Sequence, residues 1–244
     1  MMEPAVAVTG LTRRYGRKTA LDGVDLHVEP GGAVGILGAN GAGKTTLVET
    51  IVGLRRPTAG RVRVRGLDPI RDRARVRSVL GVQLQNAAMH EDLTVAENLR
   101  LHRSFYRQGV DPDALIDALG LRQVAGTRAQ RLSGGQQQRL SVAAALIGGP
   151  RIVILDELTT GLDPEGRHEV WRMIEELREE GVTILLVSHS MTEVERLCDR
   201  LVMLERGRIA IEGTPADVIE RTRAEDLEEA FLRLRGRGGA RSSS

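Results

Sequence analysis

Residues 38–46 read GANGAGKTT. They follow AVGILG, a run apolar on both faces, as a buried strand is, and they precede a helix expected over Lys44–Val52. The stretch fits G-x-x-x-x-G-K-[ST], in the strand-loop-helix context that this pattern requires. The glycines Gly38, Gly41 and Gly43 let backbone N–H groups wrap phosphates, and Asn40 and Thr46 complete the binding stretch. Lys44 is placed to reach β- and γ-phosphates, and the Thr45 hydroxyl to ligate Mg2+. A plain strand-to-helix turn needs neither the lysine nor the threonine. Few features constrain a fold more: the chain must build an α/β core and hold a nucleotide phosphate at the strand ends.

RIVILDE, residues 151–157, supplies the second half. Four apolar residues make a buried strand, and Asp156 emerges at its C-terminal end, placed for the Mg2+ shell. Glu157 is the candidate to orient or deprotonate an attacking water. An apolar run ending in Asp-Glu is weak alone and strong beside a phosphate loop. His189, in VSHS, ends the next strand. A lone histidine there is more often a cap or a core residue. One strand over from Asp156, it can hydrogen-bond a γ-phosphate and separate ATP from ADP. Gln85, in GVQLQN, closes the core segment and opens a helical stretch, where it can touch both Mg2+ and that stretch.

The 244 residues suffice for one large domain or two small lobes. Aromatics are 2%, so Val, Leu, Ile and Ala must build the core. The net charge of +2 gives no reason to expect nucleic acid. Cys198 is the only cysteine, which excludes an internal disulfide and fits a reducing compartment. The N-terminus lacks the basic-then-apolar pattern of a leader, and no run reaches the ~18–20 apolar residues of a membrane span. Attachment to a membrane, if any, must pass through protein.

AVAVTGL, VDLHV, AVGILG and RVRVRG are expected strands. From about 86 to 145 the spacing turns helical, in AENLRLHRSFY, PDALIDALGL and GQQQRLSVAAALI. RIVILDE, the helix GRHEVWRMIEELREEG and VTILLVSHS then read as a parallel βαβ unit. A hairpin turns at Arg206-Gly207, residues 217–234 are expected as one amphipathic helix, and 235–244 as a disordered tail.

RLSGGQQQRL, residues 131–140, is a second anion-binding helix start, with free N–H groups and no side chain in the way. One small chain has no evident use for two. The order of the motifs answers this. Tyr15, the loop at 38–46, Gln85, LSGGQ at 132–136, the strand ending at Asp156 with Glu157, GLD at 161–163 and His189 follow one another as in ATP-binding-cassette subunits. The chain resembles that family over about residues 5–216.

The resemblance implies a P-loop NTPase with a RecA-like parallel-sheet core, an N-terminal antiparallel β subdomain and an inserted α-helical signature subdomain, together spanning 1–216. It implies a head-to-tail dimer with two ATP molecules sandwiched, each on one subunit's phosphate loop and under the other's signature. Ser133, Gly134, Gly135 and Gln136 then serve the partner's nucleotide, Tyr15 stacks on adenine, and Asp163 links the two sites. The bland alternatives are a structural tyrosine and a turn aspartate before Pro164. A working unit needs two such chains, a homodimer being the expectation, or one and a relative. Trp171 is read as packing.

Two departures stand out. Leu158 replaces the family's proline after Asp-Glu, and Leu84 replaces the proline before the glutamine. Leucine at 158 removes no reacting group, and with Leu84 before it Gln85 is kept over nearby Gln83 because its distance to EDLTVAENL fits. QNAAMHEDLTVAENLRLHRSFY, the stretch after His189 and DLEEAFLRL resemble exporters of the drug-resistance or ABC-2 type. That implies ATP hydrolysis with Mg2+, a separately encoded integral-membrane permease, and a cytoplasmic subunit held on the inner face of the plasma membrane through it. A soluble ABC ATPase, such as an iron–sulfur assembly ATPase, is the alternative.

Overall fold

The computed structural model describes residues 3–83, 89–159 and 161–239, the last five by their backbone alone. β1 (Val6–Tyr15) and β2 (Lys18–Val28) form an antiparallel hairpin. β3 (Ala33–Gly38) leads through the glycine-rich loop into α1 (Lys44–Ile51), and β4 (Ala59–Val64) returns beside β1. After α2 (Arg73–Arg77) and β5 (Leu80–Gln83) come α3 (Val95–Ser104), α4 (Pro112–Ala118) and α5 (Gly134–Leu146). Next are β6 (Ile152–Asp156), α6 (Pro164–Glu179), β7 (Thr183–Val187) and α7 (Met191–Leu197). The hairpin of β8 (Arg200–Glu205) and β9 (Arg208–Gly213), then α8 (Pro215–Thr222) and α9 (Leu227–Gly239), complete the order.

The strands make two sheets. One is antiparallel, in the order β2-β1-β4, and the other runs β5-β6-β7-β3-β8-β9, parallel except for β9. Parallel neighbours need crossovers, which the helices supply, and helices and the small sheet cover both faces. The burial pattern shows this residue by residue. Val34, Ile36, Ile152, Ile154, Leu185, Val187, Val202 and Leu204 pack with α1 and the antiparallel sheet. The alternate positions, Leu37, Val153, Leu155, Ile184, Leu186, Leu201 and Met203, pack with α5, α6 and α7. Period-two alternation across one sheet thus divides the core in two.

Four differences from the sequence-based expectations have local causes. β1 and β2 run on past the expected ends to meet at Tyr15 and Lys18, with bulges between Val8 and Arg14 taking up the register shifts. α2 and β5 carry too few apolar residues to announce themselves. The single helix expected over 217–234 is two: Arg223 takes a left-handed backbone, φ 57°, ending α8, and Asp226 then accepts from the Glu229 N–H at 2.7 Å to start α9. The tail expected from 235 lies partly in α9, which reaches Gly239. Fully buried Leu227 and Ala230 anchor that helix, and Arg233 ties it to the Thr222 and Arg223 carbonyls.

Candidate functional site

The sheet order places β6, β7 and β3 side by side, so their C-terminal ends form one edge. Gly38 ends β3, Asp156 ends β6 and His189 follows β7. Three segments far apart in sequence therefore converge there.

The loop from Gly38 to Lys44 is shaped by close approaches. A Cβ on Gly43, at φ 114°, would lie 2.7 Å from the Ala20 carbonyl oxygen, and one on Gly38 would lie 2.6 Å from that of Leu204. No side chain fits at either position. Asn40 and Gly41 are exposed at the tip, and so is Thr45. The Thr46 carbonyl accepts from the Thr50 hydroxyl inside α1. Lys44 lies back over the loop, its Nζ donating to the carbonyl oxygens of Gly38 at 2.6 Å and Ala39 at 3.2 Å.

α1 starts on Gly43 with no side-chain cap and no acidic residue in its first turn. α3, α5, α6 and α8 all begin under a capping Thr, Ser or Asp. The first N–H groups of α1 are thus left for an external acceptor, as a phosphate site requires.

Burial lowers the Lys44 pKa, opposed by the nearby charges of Glu157 and Asp156. Burial raises that of Asp156, with the Glu157 charge adding and Lys44 opposing. Two carboxylates thus face one ammonium, a charge excess that a divalent cation complements. Among the described residues no cluster of three or more His, Cys, Asp or Glu could hold a metal. A Mg2+ ion here must therefore take ligands from phosphate and water as well, its usual habit. Gln85 lies outside the described residues.

Glu157 has φ 53°, an uncommon backbone for a residue with a side chain. Its N–H donates to the Val187 carbonyl at 2.8 Å, which joins it to the end of β7. His189 Nδ1 lies 3.6 Å from Glu157 Oε1. The two candidate groups therefore sit together. Tyr15 is 38% exposed at the end of β1, with the Arg13 guanidinium 4.5 Å from its ring centre.

LSGGQ makes a capping box. Ser133 Oγ accepts from the Gln136 N–H at 3.3 Å, and Gln136 Oε1 accepts from the Ser133 N–H at 3.0 Å. The space beside Gly134 is open, whereas Gly135 packs near Leu162. No hydrogen bond or ion pair among the described residues joins residues 133–136 to residues 38–46. Asp163 caps α6, its Oδ1 accepting from the Gly166 N–H at 2.7 Å, with Pro164 at the first helical position.

Three supports have roles that a reading of the sequence does not give. Gln83, almost fully buried, accepts the Asp156 N–H on its Oε1 at 2.9 Å, and so fixes the end of β6. Gln138, one turn into α5, donates to the Glu157 carbonyl at 3.4 Å, linking the signature helix to the glutamate. Behind His189, buried Glu193 accepts from the Ser188 hydroxyl at 2.5 Å and from Trp171 Nε1 at 3.4 Å. Trp171 thus packs, and its indole N–H finds a partner. Two of these are glutamines, which carry no signal without a visible neighbour.

Leu158 is fully buried among Leu155, Leu162 and the helices of that face. A proline there would push Glu157 toward extended backbone, away from its positive φ. Leu158→Pro is expected to change turnover by less than about tenfold, ~1.4 kcal/mol of barrier, in a phosphate-release assay. A much larger gain would mean that leucine holds the enzyme slow, and a much larger loss that the Glu157 backbone is essential.

Comparisons with known proteins point to one family. A family model described as ABC transporter matches residues 21–160. The daunorubicin resistance ATP-binding protein of Streptomyces coeruleorubidus is 41% identical over 98% of this chain and 77% of its own length. A Nod factor export ATP-binding protein I of Paraburkholderia xenovorans is 41% identical over 95% and 78%. Among solved structures, an ATP binding subunit of an ABC transporter superposes with a TM-score of 0.87 at 28% identity, covering 94% of this chain and 99% of that one. A dimeric ATP-binding cassette in a post-hydrolysis state with ADP and Pi gives 0.78 at 27% identity, covering 86% and 98%.

Proposed function

Since the chain belongs to the ABC transporter family as an ATP-binding, ATP-hydrolysing subunit, we propose that it powers an exporter as one half of a head-to-tail dimer. The carrying observation is the uncapped start of α1 beside Lys44, Asp156, Glu157 and His189 at one sheet edge. The loop 38–46 takes the phosphates of ATP, with Gly41, Gly43 and Asn40 giving backbone N–H groups and Lys44 reaching the β- and γ-phosphates. Thr45, Asp156 and Gln85 would hold Mg2+, which would supply positive charge to the phosphate oxygens. Tyr15 stacks on the adenine. Glu157 takes a proton from the water that attacks the γ-phosphorus as the bond to the β-phosphate oxygen breaks, releasing ADP and phosphate. His189 hydrogen-bonds the γ-phosphate and holds Glu157 in place.

Ser133 and the N-terminus of α5 meet the γ-phosphate of the partner's ATP. Within the cap the Ser133 oxygen accepts a hydrogen bond, which leaves its own proton to donate. Asp163 and the 161–163 turn lie beside Gly135 through Leu162 and connect the two sites. Two copies of the chain suffice to complete two sites.

Export is favoured over a soluble role by relatives named for daunorubicin resistance and Nod factor export. No helix among the described residues is long and apolar enough to cross a membrane. The membrane contact is then a permease, encoded separately, that holds this subunit on the inner face. A groove of about 280 Å3 fits that contact, running between the sheet core and the helical insert and lined by Val52, Leu54, Val82, Met89, His102 and Tyr106. Fully buried Asn98 braces its rim, bonding the His90 N–H at 3.0 Å and the His90 carbonyl at 3.1 Å. Phe105, 71% exposed beside it, adds an aromatic anchor. Met89→Asp and Tyr106→Asp are expected to weaken co-purification with the permease and uncouple transport, leaving nucleotide affinity of the isolated chain nearly unchanged. Intact co-purification in both would place docking elsewhere, and loss of ATP binding would make these residues structural.

A further inference from the structure

Residues 55–77 hold nine arginines and two aspartates, with no lysine, histidine, glutamate or aromatic residue. This short segment carries seven excess positive charges, while the whole chain carries +2. The fold gathers them. Along β4, Val62 and Val64 are buried and Arg61 and Arg63 point the other way. Arg56, Arg61, Arg63 and Arg71 then line one cavity of about 650 Å3, with Thr50 and Asp68. Arg63 pairs with Asp68 at 2.9 Å. Among the described residues the guanidinium groups of Arg56, Arg61 and Arg71 make no hydrogen bond or ion pair. Like charges held together without partners repel, and a polyanionic ligand relieves that cost.

We propose that this arginine face binds the anionic phospholipid headgroups of a membrane surface, a direct contact that departs from the sequence-based expectation of attachment through protein alone. Guanidinium groups match phosphate in shape and charge. The face is continuous with the groove described above, and the inference rests on the membrane-transport reading in that respect. The segment after α1 walls both, with Thr50 and Arg56 in the cavity, Val52 and Leu54 in the groove, and Arg77 of α2 reaching the groove. Leu54, 58% exposed, stands next to Arg55 and Arg56. An apolar side chain beside arginines suits the boundary between headgroups and acyl chains. Single-stranded nucleic acid suits it less, because the segment has no aromatic residue on which bases could stack.

The test is co-sedimentation of the intact chain, without permease, on vesicles of phosphatidylglycerol and phosphatidylcholine or of phosphatidylcholine alone. One variant combines Arg56→Gln, Arg61→Gln and Arg71→Gln. A control removes the same charge elsewhere, through Arg151→Gln, Arg172→Gln and Arg200→Gln, all exposed positions. The chain is expected to pellet with the anionic vesicles only, less so as salt rises. The first variant is expected to lose at least tenfold in partitioning, the control less than threefold, and both to keep wild-type ATP hydrolysis in solution. No pelleting of the wild type, equal pelleting on both vesicles, or equal loss in variant and control would each overturn the proposal. Loss of permease co-purification by the first variant, with vesicle binding intact, would assign the face to protein instead. Because the vesicles carry no permease, failure here leaves the groove experiment with Met89 and Tyr106 as a separate test of the role in transport.

Discussion

Glu157→Gln slows ATP hydrolysis by roughly 10²–10⁴-fold, the range for losing a positioned general base, and leaves ATP binding intact. Glutamine keeps the size and a hydrogen bond to water, but its amide cannot take the proton. The geometry sharpens the expectation. Glu157 is held by its N–H on Val187, its carbonyl on Gln138 and the His189 ring beside its carboxylate, so the substituted side chain has little room to point elsewhere. Replacing a carboxylate by an amide also removes one of two negative charges near Lys44. ATP affinity should then hold or rise, and an ATP-bound dimer should accumulate in size-exclusion with Mg·ATP. Hydrolysis at the wild-type rate in this variant would remove Glu157 from the chemistry.

Lys44→Ala and Ser133→Arg each abolish activity alone, and a mixture of the two recovers part of it. Lysine removal strips the β- and γ-phosphate contact in one subunit's own loop. Arginine at 133 blocks the space beside Gly134 that the partner's phosphate would enter. In the mixed dimer both lesions fall on one composite site and the other is intact. Loss of the Ser133 cap costs about 1 kcal/mol of helix stability, too little to unfold the chain. Ser133→Ala, which loses the cap without blocking the space, should therefore remain far more active than Ser133→Arg. A mixture as dead as either parent would count against sharing of sites, unless both sites must fire together.

The edge that gathers the candidate groups is legible because each of them ends a strongly apolar strand. AVGILG, RIVILDE and VTILLVSHS are short, buried and followed by a loop, so Lys44, Asp156, Glu157 and His189 had to meet at strand ends. What stayed hidden depends on neighbours distant in sequence. Gln83 stands in the sequence only as a rival to Gln85, and its support of Asp156 appears once β5 is seen lying against β6. Glu193 looks like one more charge on an exposed helix until Ser188 and Trp171 close over it. The break between α8 and α9 was missed because Arg223, unlike glycine, does not advertise a left-handed turn. The arginine cluster was visible as letters but not as a surface, since it takes the period of β4 and the fold of α2 to bring Arg61 and Arg71 to one cavity.

The claim on which the account turns is that the phosphate loop of one chain works with LSGGQ of another. Cysteine crosslinking measures it directly, and the background is low. Cys198 is the only native cysteine, buried, and its burial pushes the thiol pKa far up, which keeps it unreactive. Subunits carrying Asn40→Cys are mixed with subunits carrying Ser133→Cys, both in the Glu157→Gln background, and oxidised with and without Mg·ATP. The account predicts a covalent heterodimer that forms with ATP and is sparse without it. No heterodimer at saturating ATP, or one that forms equally without ATP, would contradict it.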